Sequence, residues 1–300
     1  MSKILRAWSL AYGRAFVVVL VATAIVLPLG CVFVLIPLWL VTKFDASMWV
    51  LIISASLYVL ILNGGAFGTL SWVLHRRKRR LDAAFTPLGL VGERYMLTGQ
   101  QYRGTVEGRE VRILFYRGPM LELHLSTPLQ TRLGVAEGGS TTPALARLFG
   151  RQSLDLDNPD LSGLHVFALD EGWARSLMAD PEARTLIQRL LSAGESWALV
   201  RQVVLGPGAF RLRLYHSKHL FKYEITREEA QRWLDDLVAL TRIAEGLPEP
   251  TATAEESAAE RLVRSGGAGR IGLIVVALLV GLPTCVLALA AGVFFLWAIR

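Results

Sequence analysis

The sequence predicts a membrane protein with three transmembrane α-helices and a soluble α+β domain that contains an antiparallel sheet. Two observations lead to this fold class. Three runs of 27, 29 and 29 residues, at 15–41, 46–74 and 271–299, contain no charged side chain. Between the second and third runs lies a charged stretch with the strand and helix patterns of a folded domain.

The three uncharged runs are each long enough to cross a bilayer as a helix. A helix rises about 1.5 Å per residue and the hydrocarbon core is about 30 Å thick, so about 20 apolar residues suffice. We therefore predict a transmembrane hairpin within residues 1–80, with spans at about 15–42 and 47–74. A third transmembrane helix is predicted within residues 270–300.

Basic residues flank these runs and predict their orientation. Lys3, Arg6 and Arg14 precede the first run, and Arg76–Arg80 follows the second. Lys and Arg residues in short segments next to transmembrane helices stay on the cytoplasmic side. The expected location is the plasma (inner) membrane in a multi-pass arrangement, with the N-terminus and central domain in the cytoplasm and the C-terminus outside. The lipid bilayer is then an expected partner.

Charge and cysteine content exclude several function classes. The net charge is +7, but residues 81–269 carry 21 Lys and Arg against 24 Asp and Glu. The domain is therefore mildly acidic, which argues against a nucleic-acid partner. Cys31 and Cys285 are the two cysteines, and both lie in the uncharged runs. The domain thus has no thiol nucleophile, disulfide or cysteine-ligated metal.

Residues 81–245 are predicted to fold as the cytosolic α+β domain. Alternation of apolar and polar residues predicts strands, joined by short turns, over the ranges 101–107, 110–117, 120–127, 164–168, 196–205 and 209–215. Helices are predicted where a capping residue precedes an apolar stripe, at Asp170, Asp180 and Thr226, and also after Thr142. Residues 246–269 are rich in Ala, Glu, Pro, Ser and Gly and are predicted to be a flexible linker.

Asn63, Gly64 and Gly68 form a candidate helix-packing face in the second run. Small residues four apart let two helices approach closely, and an asparagine can hydrogen-bond across the contact. The interpretation we favour is packing within one molecule. The alternative is a protein partner, or a homo-oligomer, that docks through this run.

The sequence gives only weak signals for metal-binding or catalytic residues. His216 and His219 flank a predicted turn, with no acidic residue or cysteine nearby. Asp155, Asp157 and Asp160 begin like a calcium loop, but its glycine and bidentate glutamate are missing. No phosphate-binding glycine loop and no nucleophile elbow occurs. We predict no catalytic residue, no metal ligand and no cofactor.

One surface is a candidate binding face. If the two predicted hairpins join one sheet, five outward side chains share a face: Arg112, Tyr116, His124, Arg211 and Arg213. Such a face could hold an anionic group or a partner peptide. The alternative is an ordinary polar sheet face.

A set of short motifs carries a family resemblance. They are Asp157-Asn158-Pro159, Val166-Phe167-Ala168 and Ala174-Arg175-Ser176-Leu177, followed by a capped helix and a strand hairpin. Over residues 80–245 the chain resembles uncharacterised bacterial membrane proteins in which a transmembrane helical hairpin precedes a cytosolic α+β domain of unknown function. The third span departs from that pattern. The resemblance implies an architecture and no catalytic residue.

Three functions are compatible with these features. The first is a membrane-tethered cytosolic interaction or regulatory module. The second is an accessory subunit of a membrane transport or secretion complex. The third is an enzyme of unrecognised type, which the lack of catalytic motifs disfavours. Co-purification with a partner separates the first two, and a pocket with convergent carboxylates or histidines would favour the third.

Overall fold

The computed structural model describes residues 48–95, 99–116, 120–137, 153–154, 163–217, 224–258 and 261, together with residues 32, 36, 39, 42 and 43. Contacts divide the chain into two units, residues 1–81 and 82–300. The described part of the first unit is mainly helical. The second unit contains a sheet and its helices.

The longest helix, α1, runs from Met48 to Phe85 over 38 residues. Its early part is uncharged, and a basic stretch, residues 75–80, lies near its end. Trp72 and Arg76 are one turn apart on it, with the guanidinium 5.4 Å from the centre of the indole ring. A cation over an indole face is favourable, so this pair supports the local helix.

The prediction of three transmembrane helices is contradicted. Among the helices of the described residues, none is both long and apolar enough to cross a membrane. The predicted multi-pass location in the inner membrane is contradicted with it. The uncharged part of α1 contains serines, Asn63 and three glycines. The predicted spans at 15–42 and 270–300 lie outside the described residues, apart from the isolated positions given above.

The predicted α+β fold with an antiparallel sheet is confirmed. After a short 3₁₀ turn at Thr86–Leu88, eight strands form one sheet in the order β1-β2-β3-β4-β8-β7-β5-β6, and every neighbouring pair is antiparallel. The strands are β1 (Val91–Tyr95), β2 (Gly99–Val106), β3 (Arg109–Tyr116), β4 (Met120–Ser126), β5 (Leu133–Glu137), β6 (Leu164–Ala168), β7 (Ala198–Gly206) and β8 (Ala209–Ser217).

Tight turns set the hairpin registers. Glu107 and Gly108 connect β2 to β3, and both have positive φ, 49° and 77°. Two consecutive left-handed residues match the twist of the flanking strands, and a glycine at the second position adopts that conformation without strain. Sequence analysis missed β1 and β5, because four of five residues in β1 are exposed and β5 does not alternate.

Three further helices follow the predicted caps: α2 (Glu171–Ala179), α3 (Pro181–Leu191) and α4 (Arg227–Gly246). Asp170 accepts a hydrogen bond from the Trp173 amide at 2.9 Å. In the capping box of α4, Thr226 Oγ1 accepts from the Glu229 amide at 3.2 Å, and Glu229 Oε2 accepts from the Thr226 amide at 3.0 Å. These polar groups satisfy amides that a helix start leaves without partners.

Helix α4 lies over one face of the sheet, which is its apolar face. Arg109 and Thr127 both hydrogen-bond Glu245 near the end of α4, at 2.5–2.8 Å. Alternation puts these two residues on the same face as a buried apolar set from the central strands, namely Val111, Ile113, Phe115, Leu121, Leu123, Leu125, Phe210, Leu212 and Leu214. Burial of these side chains is the main stabilising contribution to the domain.

Candidate functional site: the polar face of the sheet

The opposite side of the sheet, the polar face, carries side chains that strand pairing arranges in rows. Strand β4 pairs with β8, so the two predicted hairpins do join one sheet. One row crosses four neighbouring strands through directly paired residues, and we call it the basic row: Arg103, Arg112, His124 and Arg211. Adjacent strands are about 4.8 Å apart, so this row extends over roughly 14 Å.

Two further rows follow the basic row on one side of it, along the central strands. The central row contains Gln101, Leu114, Glu122, Arg213 and Gln202. The third row contains Tyr116 and Met120, a directly paired couple, with Tyr215 on β8. Tyr95 of β1 meets Tyr116 edge to face, with ring centres 5.8 Å apart. The face therefore changes from cationic to aromatic along the strand direction.

Glu122 is the hub of the central row. Its carboxylate accepts a hydrogen bond from the Tyr215 hydroxyl at 2.9 Å and lies 3.2 Å from Nε of Arg213. His124 Nε2 is 3.1 Å from its other oxygen. Burial raises the pKa of this carboxyl, but the hydrogen bond from His124 and the charge of Arg213 outweigh it and lower the pKa to about 2. Glu122 is therefore ionised at neutral pH.

His124 is neutral at neutral pH despite its contact with a carboxylate. Burial lowers the pKa of the imidazole, and the positive charges of Arg211 and Arg213 lower it further, against the raising effect of Glu122. The 3.1 Å contact then requires the tautomer that donates Nε2–H to Glu122. The Glu122 carboxylate also raises the pKa of the Tyr215 phenol, after burial as the largest cause.

Arg112 and Arg211 are the buried cations of the basic row, and each residue is 7% exposed. Burial lowers the pKa of Arg112, and the neighbouring Arg103 lowers it further. Arg112 Nη2 donates to Oε1 of Gln101 at 3.4 Å. Arg103 on β2 is directly paired with Arg112 on β3. Their guanidinium groups repel each other, so this placement costs free energy.

The five residues of the predicted binding face lie on one face, because β3, β4 and β8 are neighbours. Their binding role stays a prediction. The expected solvent exposure is not observed, since Arg112 and Arg211 are buried and Glu122 is only 3% exposed. Sequence analysis did not select Glu122, Tyr215 or Gln101. Glu122 is two residues from His124, a spacing that places both on one face, and this signal could have found it.

The other candidate residues are scattered. Gly64 and Gly68 are exposed on α1, and a Cβ atom at either position would meet nothing within 4 Å. Asn63 lies in the same helix, and the packing role of all three stays a prediction. Asp155, Asp157, Asp160 and His219 lie outside the described residues. Within the described ranges, no group of three or more His, Cys, Asp or Glu side chains could hold a metal ion.

Comparison with known proteins gives little. No family model matches the chain, and no curated protein matches it. Among solved structures, it is similar to the crystal structure of the mycobacterial trehalose monomycolate transport factor A, TtfA. The identity is 12%, the TM-score is 0.38, and the match covers 58% of this chain and 97% of that chain. A similarity this weak says nothing about what this chain binds.

Proposed function

We propose that this chain is a non-catalytic interaction module whose polar face binds a carboxylate-rich segment of a protein partner. The observation that supports the proposal is the basic row. On the central strands β3, β4 and β8, three arginines and one histidine share the face with the Glu122 carboxylate. Two more carboxylates, Glu93 and Glu110, lie towards its margins and are exposed to solvent.

The row geometry fits an extended segment that crosses the strands. The basic row is roughly 14 Å long, and alternate residues of an extended chain are about 6.8 Å apart. Three acidic residues at alternate positions would therefore match its length. Arginine is suited to this contact because its planar guanidinium binds a carboxylate through two parallel hydrogen bonds.

Burial explains why such a site would be selective. Arg112 and Arg211 are shielded from water, where an electrostatic attraction is stronger than at an open surface. Arg103 is exposed, and His124 and Arg213 are partly accessible, so these groups offer the first contacts. A partner without negative charge would remove water from the basic row without forming ion pairs with it, so its binding would be unfavourable.

The same module could act alone or as the accessory subunit of a transport or secretion complex. Purification of the tagged protein under mild conditions, with mass spectrometry of whatever accompanies it, separates these cases. A stoichiometric partner that wild-type protein retains and an R103Q/R211Q variant loses indicates a subunit that uses the polar face. A partner retained by both would place the contact elsewhere.

A direct test uses a synthetic octapeptide of alternating glutamate and serine, titrated into the full chain at low salt. We expect saturable binding that weakens with salt, and about a tenfold loss in R103Q/R211Q. R103Q alone is included because Arg103 is exposed. A loss of binding in this single variant cannot be attributed to misfolding of the double variant. R232Q on α4, away from the polar face, is the matched control and should bind like wild type.

Two outcomes would overturn the proposal. One is that wild-type protein fails to bind the peptide, and the other is that R103Q/R211Q and R232Q bind it equally. Vesicles of phosphatidylglycerol serve as a second probe. Binding to vesicles but not to the peptide, with the same dependence on Arg103 and Arg211, would assign the face to a lipid headgroup instead of a protein segment.

A further inference from the structure

The carboxylate of Asp170 has two separate tasks. Its Oδ1 atom caps α2 by accepting from the Trp173 amide. Its Oδ2 atom accepts three hydrogen bonds from a segment 81 residues away: from the Thr251 amide at 2.7 Å, the Thr251 hydroxyl at 2.8 Å and the Ala252 amide at 3.1 Å. These bonds, with that from Trp173 as the largest cause, lower the pKa of Asp170 to about 2.

A loop between β4 and β5 holds the other side of the same segment. The backbone carbonyl of Gln130 accepts from the Ala254 amide at 2.7 Å. The Thr131 hydroxyl donates to the Ala252 carbonyl at 2.9 Å, and Arg132 Nη2 donates to the Glu255 carbonyl at 3.1 Å. Residues 250–255, which we call the strap, are therefore bound mainly through their backbone.

The strap has the alternating pattern of an extended peptide on a surface. Thr251, Thr253 and Glu255 are exposed, whereas Ala252 and Ala254 are half-buried. A strand-like segment turns every second side chain to its support, so the two alanines face the domain. Small side chains are favoured there because they let the strap backbone come within hydrogen-bonding distance of the loop.

We propose that Asp170 and residues 130–132 form a peptide-binding site, the seat, which recognises an extended segment with small residues at alternate positions. Its occupant is the strap, which is held in cis and exchanges for the same segment supplied in trans by a second copy of the chain. The seat lies on α2 and the loop before β5, outside the polar face, so this proposal does not rest on the proposed function.

Two physical features support exchange. The strap has small or polar side chains that are exposed or half-buried, and segments with little buried apolar surface open locally at a small fraction of the cost of global unfolding. Release also exchanges the three fixed strap donors of Asp170 Oδ2 for water, so these donor positions become available to another segment. The seat therefore favours reoccupation by any segment that offers the same amides.

The test uses the full chain with changes on the strap only. T251V removes the hydroxyl donor and A254P removes the amide that Gln130 accepts, while both leave the seat intact. A labelled peptide of residues 247–258 is titrated into wild type and into T251V/A254P, with fluorescence anisotropy as the readout. We expect about tenfold tighter binding by the variant, because its own strap competes less well.

D170N serves as the seat variant. Asparagine keeps the oxygen that caps α2 but replaces Oδ2 by an NH₂ group, which cannot accept from the strap. D170N combined with T251V/A254P should lose peptide binding while its circular dichroism stays unchanged. Hydrogen exchange of residues 250–256 should accelerate in T251V/A254P and in D170N alike.

The seat proposal fails if wild type and T251V/A254P bind the peptide equally, or if neither binds it. It also fails if peptide binding survives D170N. Unchanged exchange of residues 250–256 in all variants would show that the observed hydrogen bonds do not hold the strap. Because the peptide probe and these variants leave the polar face intact, a failure here is separate from a failure of the proposed function.

Discussion

The two faces of the sheet are built from the same strands and differ in how they are stabilised. The apolar face packs large aliphatic and aromatic side chains under α4. The polar face holds Arg112, Arg211 and Glu122 at similarly low exposure. Burial of apolar atoms is favourable by itself, whereas buried charges are tolerated only with partners. Low exposure therefore does not mean the same thing on the two faces.

This difference is one reason for the proposal that the polar face is the binding surface. The apolar face is explained completely by its contribution to stability. The basic row is not, since isosteric apolar residues at buried charged positions often stabilise a protein as well or better. Charged groups that make folding harder are candidates for a task other than folding.

The largest expected effect is on the apolar face. L123A should lower the free energy of unfolding by about 3–5 kcal/mol, because Leu123 is fully buried and its loss leaves a cavity. Urea denaturation of the full chain measures the change. L114A, the matched control, removes a fully buried leucine that shares its face with the charged rows. An L123A effect below about 1 kcal/mol would contradict the assignment of this face as the core.

The next effect concerns the hub of the polar face. E122Q should lower the free energy of unfolding by about 1–3 kcal/mol, because an amide has a nitrogen that cannot accept hydrogen bonds from His124 or Tyr215. Chemical denaturation gives the value. E110Q, on the same face but exposed, should change stability by less than about 0.5 kcal/mol. Equal changes in the free energy of unfolding for E122Q and E110Q would show that Glu122 contributes no more to stability than an exposed glutamate on the same face.

Acid should weaken the polar face in two steps. The pKa of His124 is lower in the folded state, so its contribution is full above pH 6.5 and falls as pH drops below that value, where only the unfolded chain takes up the proton. The pKa of Glu122 is about 2 when folded, so its contribution is present above its ordinary pKa of 4.5 and is lost as pH falls towards 2.

Thermal unfolding between pH 8 and pH 3 tests both steps. The melting temperature should decline below pH 6.5 and again below pH 4.5. H124Q should flatten the first decline, because it removes the titrating group. E122Q should flatten the second decline. If the first decline in melting temperature persists unchanged in H124Q, another titrating group causes it.

The smallest effects concern ion pairs at the margin of the apolar face. Arg242 and Glu107 are 2.5 Å apart, but their side chains are 68% and 55% exposed, so R242A should cost less than about 0.5 kcal/mol. Arg109 binds both oxygens of Glu245, and these side chains are 23% and 20% exposed. R109A should therefore cost more, about 1–2 kcal/mol. Denaturation midpoints that rank the two variants in the opposite order would contradict this difference.

Sequence patterns predicted the local parts of this fold well. The strands β3 and β4, the cap at Asp170 and the capping box at Thr226 and Glu229 all occur in the structure. Each depends on neighbours within a few residues, which the sequence displays directly. The polar face was predicted only on the condition that two hairpins share a sheet, because no local signal reports the pairing of β4 with β8.

The sequence by itself determined six of the eight described strands, several turns, the helix caps and which side chains of those strands point the same way, because these follow from backbone sterics and short-range hydrogen bonds. Tertiary structure decided the rest. It placed β4 beside β8, buried Arg112 and Glu122 on the polar face, and brought Thr251 to Asp170 across 81 residues. Among the described residues it also has no helix that is long and apolar enough to cross a membrane, in contrast to the sequence prediction. Such long-range choices depend on the summed free energy of the whole packed domain, which no short window of sequence contains.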